Sequence, residues 1–331
     1  MNTRMEIKQL VGWTPIEIYF KNPDPVVEWC DLRNIAFSEP FFEQTVAAHC
    51  LNDDSHCVHV QTNLEALAEL HQINPGLEPT GFIFHTSKSG STLVSRILAA
   101  LPQNLVISEP DPIVSLLVGA KLSGMPEEQV IKSLRLLVSA LGQSRLGVEK
   151  NYFIKFCSFN VLDLPIIRKA FPNVPSVFVY RHPVEVMISL LKRSAGWIDI
   201  KNTPQIVGMT GFYPKDIEKM SSEEYCARVL ASYYQTMLEM ADQDTLMLNY
   251  QQLPEAVWSS LPNFFQVSFS PEEKDHMRNF SQFYSKDPDS KQLFTNDSVA
   301  KQQEASEVVW ETANRWLLIE LYEKLQVSRC R

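Results

Sequence analysis

Residues Phe82–Leu98 read FIFHTSKSGSTLVSRIL. An apolar run long enough for a strand leads into a short turn of Ser, Lys and Gly, and an amphipathic helix follows. Free backbone N–H groups and the helix dipole point into a turn of this kind, which makes it an anion site. The identity of the anion is the question. A nucleotide-triphosphate loop reads G-x-x-x-x-G-K-[ST], with its lysine after the last glycine. Here Lys88 stands two residues before Gly90, and the Walker-A spacing occurs nowhere in the chain.

Outward from this turn, apolar segments alternate with helical patterns. Strands are predicted over Gly81–His85, Leu105–Ser108, Tyr152–Phe156, Ser176–Tyr180 and Thr245–Asn249. Helices are predicted over Thr92–Leu101, Pro112–Leu122, Glu127–Leu141, Asn160–Phe171, Pro183–Arg193 and Ser222–Asp242. Such alternation implies an α/β fold, a three-layer sandwich with a central parallel sheet and helices on both faces. Ligands in such sheets sit beyond the carboxyl ends of the strands. Residues 1–80 are expected to form a mostly helical extension packed on an α/β domain spanning 81–331. The apolar stripe in VWETANRWLLIELYEKL (Val309–Leu325) is expected to pack in the core.

The 331 residues are 45% hydrophobic, enough for a large core, and the net charge of −9 argues against a general nucleic-acid or membrane-surface binder. Any phosphate site must therefore be built from local basic residues. Six scattered cysteines (Cys30, Cys50, Cys57, Cys157, Cys226, Cys330) without a repeated C-x-x-C fit a reducing compartment. With no apolar leader and no 18-residue apolar run, the expectation is a soluble cytoplasmic protein. His49, Cys50, His56, Cys57 and His59 lack the paired spacing of a zinc site, so no metal is expected there.

A second motif, VYRHPVEVMISLLKR, follows the Ser176–Tyr180 strand. Arg181 ends that strand, Pro183 suits a first helical position, and Ser189 lies eight residues beyond the arginine. Lys-Ser-Gly-Ser-Thr after one strand and Arg-x-Pro-x5-Ser after another resemble the sulfotransferase family, over about residues 81–290. FPNVPSVFVYRHP is similar to that family's FP–strand–Arg-Asp-Pro, and the pattern is nearest the bacterial and Golgi-type branches. His182 stands where the family has Asp, and Ser87 where it has Pro or Arg.

The resemblance implies a P-loop-type fold and a donor, 3′-phosphoadenosine-5′-phosphosulfate (PAPS), that leaves as 3′,5′-adenosine diphosphate. It places Lys88 on the bridging oxygen and sulfuryl group. The backbone amides of Ser89, Gly90, Ser91 and Thr92, with the Ser91 and Thr92 hydroxyls, would cradle the 5′-phosphate, and Arg181 and Ser189 would hold the 3′-phosphate. By the same resemblance Tyr250, in TLMLNYQQLPE, and Ser285 and Lys286, in FYSKDPDS, would contact the donor. Some members carry Lys-x-His at a later strand end. Here the stretch is Lys155-Phe156-Cys157, with the lysine and without the histidine. Other branches use a glutamate after the strand that follows the phosphate loop, and LVISEPDP puts Glu109 there. Glu109 is accordingly the expected general base, with Lys88 and Lys155 as charge stabilisers and no metal required. His85 and His182 border the same turns and are the competing bases. The acceptor, a hydroxyl- or amine-bearing small molecule, is not written in the sequence; residues 1–80 and 194–221 are expected to shape its site. The alternatives are a P-loop phosphotransferase or nucleotide hydrolase, and a non-catalytic adenosine-phosphate binding protein.

Overall fold

The computed structural model describes residues 7–20, 24–51, 58–193, 195–282 and 298–328. Strands β1 (Thr14–Phe20), β2 (Pro25–Cys30) and β3 (His59–Asn63) form an antiparallel sheet in that order. Strands β4 (Gly81–His85), β5 (Asn104–Ser108), β6 (Asn151–Lys155), β7 (Ser176–Tyr180) and β8 (Thr245–Asn249) form a second sheet in the order β5-β6-β4-β7-β8. Every neighbouring pair in this second sheet is parallel.

Alternation along these strands builds two cores, as a sheet covered on both faces requires. Phe82 and Phe84 of β4, Tyr152 and Ile154 of β6, and Phe178 and Tyr180 of β7 enter one cluster. Ile83, Phe153, Val177 and Val179 enter the other. Helix α3 (Ser91–Ala99) and residues 256–280 cover the second face, through Val94, Ile97, Trp258 and Phe265. Helices α4 (Asp111–Ser123), α5 (Glu127–Leu141), α6 (Leu164–Ala170) and α7 (Pro183–Lys192), with Ser222–Met240 and Leu318–Ser328, cover the first. The fold is the expected α/β sandwich. Val309, Ala313, Leu318, Leu321 and Leu325 of the C-terminal stripe are buried in it.

Register decides where the strands deliver the chain. Ser108 pairs with Lys155, His85 with Val179 and Tyr180 with Asn249, so all five strands end along one edge. The residues that follow meet there: the 86–90 turn, Glu109, Phe156–Cys157, Arg181 and Tyr250.

Two expectations need correction. The N-terminal segment is not mostly helical, since its antiparallel sheet shares it with the short helix Phe42–Val46 (α1) and with Glu65–Ile73 (α2). A register shift between Pro15 and Glu17 interrupts the alternation of β1, and β3 buries no side chain fully, so neither strand has a clean period-two signal. The helix expected over Asn160–Phe171 is instead a 3₁₀ turn, Ser158–Asp163, followed by α6. Pro165 explains the break: it has no N–H to continue a helix and sits in the first turn of α6.

The N-terminal sheet shares the first core through Trp29, Leu32 and Phe37. It docks on α4, where the Ile18 amide donates to Ser115 Oγ at 3.1 Å. Phe20 fills the notch left by Gly119; a Cβ on residue 119 would lie 2.1 Å from the Phe20 ring. Among the described residues, no helix is long and apolar enough to cross a membrane. Gly119→Val should therefore destabilise the protein by about 1–3 kcal/mol in urea unfolding, as overpacking does. Phe20→Ala should cost less in that background than in the wild type; equal cost in both would contradict the notch.

Candidate functional site

The turn after β4 is shaped by left-handed backbone. Ser87, Lys88 and Gly90 have φ of 66°, 47° and 88°. Such a succession turns consecutive N–H groups toward one side, the nest geometry that binds anions. Left-handed residues other than glycine are strained, by about 1–3 kcal/mol each. The surroundings hold the strain in place: Ser87 Oγ donates to Ser158 Oγ at 2.7 Å, and Ser89 Oγ donates to the Val179 carbonyl at 2.9 Å. Gly90 also has no room for a side chain, because a Cβ would come within 2.8 Å of Leu253 and 3.0 Å of Tyr250. Helix α3 begins at Ser91 and presents its first amides to the same turn. Neither the Ser91 nor the Thr92 hydroxyl is engaged by another described residue.

Lys88 makes no ion pair with a described residue. Burial lowers its pKa first, and the charges of Arg193 and Lys301 lower it further. Three cations thus gather at the turn. Sequence reasoning missed Arg193 and Lys301, which come from the end of α7 and from the helix Ser298–Glu304. Neither lies in a motif, so only the fold reveals them.

Beside the turn, Glu109 and Lys155 form one unit. The Glu109 amide donates to the Lys155 carbonyl at 2.6 Å, and the Lys155 ammonium donates to Glu109 Oε1. Lys155 is fully buried, whereas Glu109 keeps 26% of its side chain exposed. Glu109 takes φ 57°, a second point of strain at the sheet edge. Burial alone would raise its pKa, but the Lys155 charge and the contact with His85 outweigh it and hold the carboxyl well below the usual carboxylate range. Cys157, where some relatives of this pattern carry histidine, points its thiol at Glu109 Oε2, 3.7 Å away. Burial, then the Glu109 charge, pushes that thiol up, so it stays protonated.

His85 lies between the turn and the carboxylate. Its Nδ1 accepts the Ser87 amide at 3.0 Å; Nε2 stands 3.1 Å from the Phe156 carbonyl and 3.4 Å from Glu109 Oε1. His182 is elsewhere, its ring packed on Tyr322 and Trp310.

The N-terminal segment contributes to this corner. The Phe41 ring lies 4.8 Å from the Lys155 ammonium. Asp111 is pushed up to about 7, first by burial and then by the charges of Glu17, Glu43 and Glu109.

The second motif is also assembled, with an acid the sequence reading overlooked. Arg181 is 3% exposed, and its Nε donates to Glu185 Oε2 at 2.5 Å. Glu185 also accepts from Ser298 Oγ at 2.9 Å and Gln302 Nε2 at 2.6 Å. The i, i+4 spacing from Arg181 to Glu185 was the available signal. Tyr250 lies under the guanidinium at 3.9 Å and against Gly90, which joins the two motifs. Ser189 Oγ donates to the Glu185 carbonyl at 2.8 Å, one turn along α7. Ser285 and Lys286 lie outside the described residues.

The cysteine reading is corrected at one pair. Cys30 and Cys50 form a disulfide, because the end of β2 lies against residues 47–51. Disulfides persist in oxidising compartments, so the thiol pattern no longer supports a cytoplasmic placement. His59 joins these two sulfurs as a group of metal-ligand types, while His56 and Cys57 lie outside the described residues.

Two outcomes follow. Gly90→Ala should abolish measurable binding of adenosine phosphates, since both the turn conformation and the Tyr250 contact oppose a methyl; retained affinity in calorimetry would show that the turn is not the anion site. A carboxyl raised from its unfolded value of about 3.9 to about 7 loses stability as pH climbs through that window. Asp111→Asn should therefore raise Tm more at pH 8 than at pH 5, by on the order of 2 °C per kcal/mol relieved; an equal change at both pH values would contradict the shift.

No protein-family model matches the chain, and no curated protein matches it. Solved structures do. The sulfotransferase STF9 from Mycobacterium avium is 12% identical with a TM-score of 0.43, over 77% of this chain and 80% of that one. The sulfotransferase domain of the Synechococcus PCC 7002 olefin synthase is 14% identical with a TM-score of 0.40, over 76% and 94%. A sulfotransferase from Alicyclobacillus acidocaldarius is 13% identical with a TM-score of 0.39, over 73% and 95%. Likeness at this level carries no argument about the chemistry, which rests on the residues of this chain.

Proposed function

We propose that the protein is a sulfotransferase that moves a sulfuryl group from PAPS to a hydroxyl or amine acceptor by in-line displacement. The observation that carries the reading is the meeting of two parts at one sheet edge. An anion turn with an unpaired Lys88 lies next to an ionised Glu109 held by a buried Lys155. A phosphate-type ligand suits the turn, because its amides, the Ser91 and Thr92 hydroxyls and Lys88 offer donors that no described residue takes up. When bound, the donor supplies a sulfuryl group with a phosphate leaving group.

The remaining chemistry belongs to the chain. Glu109 takes the acceptor's proton, and Lys88 and Lys155 place positive charge where negative charge develops. A carboxylate stabilised as strongly as Glu109 is a weak base while Lys155 holds it. An anionic group at the turn competes for that ammonium and frees the carboxylate to accept a proton. Phe41, Glu43 and Asp111 line the acceptor side of this pair, so the N-terminal segment shapes acceptor choice.

The test is transfer from PAPS to a panel of small alcohols and amines in excess EDTA. Activity should persist without metal; turnover that requires Mg²⁺ with ATP as donor would establish the phosphotransferase alternative. Glu109→Gln should lower kcat by about 10²–10⁴-fold, the usual effect of losing a general base, and leave donor affinity alone. A change within about threefold would remove Glu109 from the chemistry.

The pH profile makes a separate test. Glu109 must be ionised to act, so activity is lost as pH falls through its pKa. That limb of kcat/KM should lie below the ordinary glutamate value of about 4.3 in the wild type. Lys155→Met leaves burial without its counterweight and should move the limb above that value; an unmoved limb would contradict the pairing.

A further inference from the structure

We propose that His85 is a positioning residue that ties the base Glu109 to the anion turn, so that one imidazole sets the geometry of both. The inference rests on the sulfotransferase reading of the site. It starts from which ring nitrogen carries the proton. The Ser87 amide is a donor, so Nδ1, 3.0 Å away, must be the bare nitrogen. Nε2 then carries the hydrogen and faces two acceptors, the Phe156 carbonyl at 3.1 Å and Glu109 Oε1 at 3.4 Å. In this tautomer neither nitrogen is placed to take a proton from an acceptor molecule, because one is occupied by a backbone amide and the other is already protonated. His85 is thereby excluded as the base and acquires a different role.

Each end of the ring does separate work. Nδ1 supports Ser87, whose left-handed backbone opens the turn that presents Lys88 and the amides beyond it. Nε2 faces the same Glu109 oxygen that receives the Lys155 ammonium, and so helps fix the carboxylate's orientation. The groups facing the ring are the Ser87 amide from its own turn, Glu109 from the end of β5, and Lys155 and the Phe156 carbonyl from the end of β6. Glu109 favours protonation of the ring, whereas burial and Lys155 oppose it, and burial leads. If the ring does become protonated, the new N–H at Nδ1 meets the Ser87 N–H head on. The turn then loses the acceptor that holds its first strained residue, and anion affinity falls with it.

The two arms can be separated by amide side chains. In His85→Asn the amide oxygen stands near the place of Nδ1 and can accept from Ser87, but the side chain is too short to reach Glu109. In His85→Gln the amide nitrogen stands near the place of Nε2 and can serve Glu109, while the Ser87 amide loses its acceptor. The experiment measures the dissociation constant of 3′,5′-adenosine diphosphate, kcat with saturating PAPS, the pH profiles of both, and Tm.

His85→Asn should keep the dissociation constant within about threefold while kcat falls by about tenfold or more, the scale of a hydrogen bond to an ionised group. His85→Gln should do the reverse, weakening binding by about three- to tenfold, the scale of a neutral hydrogen bond, with kcat nearly kept. The wild type should lose affinity for the diphosphate as the pH falls through the His85 pKa, and His85→Asn should not show that loss. Parallel losses in both variants that track Tm would reduce His85 to a structural core residue, and unchanged constants in both would overturn the inference. If the wild type itself neither binds the diphosphate nor transfers sulfuryl groups, the sulfotransferase reading has failed instead.

Discussion

An ammonium taken fully out of water must be paired, and Lys155 is such an ammonium. Glu109 is its partner, and much of the sheet edge is arranged to bring the two together. The β5–β6 register sets Ser108 opposite Lys155, so the next residue stands over the lysine. A left-handed backbone at Glu109 then turns its side chain back onto the ammonium while its amide bonds the Lys155 carbonyl. Removing either partner leaves an uncompensated charge at the point where β4, β5 and β6 end, next to the turn that receives the anion.

A second buried pair at the other side of β4 follows the same logic. Arg181 at the end of β7 is matched by Glu185, which is also held by Ser298 and Gln302. The C-terminal part of the chain is in this way fastened to the sheet edge through an acid on α7. Tyr250, at the end of β8, packs both on Arg181 and against Gly90, so the turn cannot shift without disturbing that pair. Anion turn, base and arginine therefore form one connected edge.

Much of this was legible in the sequence, for a definite reason. Strands buried on both faces are short apolar runs, and the limits of β4, β7 and β8 agree with those read from FIFH, SVFVY and TLMLN. Residues at strand ends could be placed at one edge because parallel strands deliver their carboxyl ends together. Contacts made by side chains from distant segments were not legible. Arg193 and Lys301 join Lys88 only after α7 and the helix Ser298–Glu304 pack together, and the Cys30–Cys50 disulfide depends on an N-terminal sheet with an interrupted alternation. The tautomer of His85 depends on a backbone amide whose direction no sequence pattern states.

The central claim is that this edge holds a nucleotide bearing phosphates at both the 5′ and 3′ positions, with Lys88 on one side and Arg181 on the other. Glu185 already engages Arg181, so a 3′-phosphate must draw its bonds from the remaining guanidinium hydrogens and from Ser189. The most direct test is a pair of calorimetric titrations under identical conditions, one with 3′,5′-adenosine diphosphate and one with 5′-AMP. The account predicts that the diphosphate binds at least about tenfold more tightly, since a hydrogen bond to an ionised group contributes roughly 1.5–3 kcal/mol. Equal affinity for the two nucleotides would contradict it.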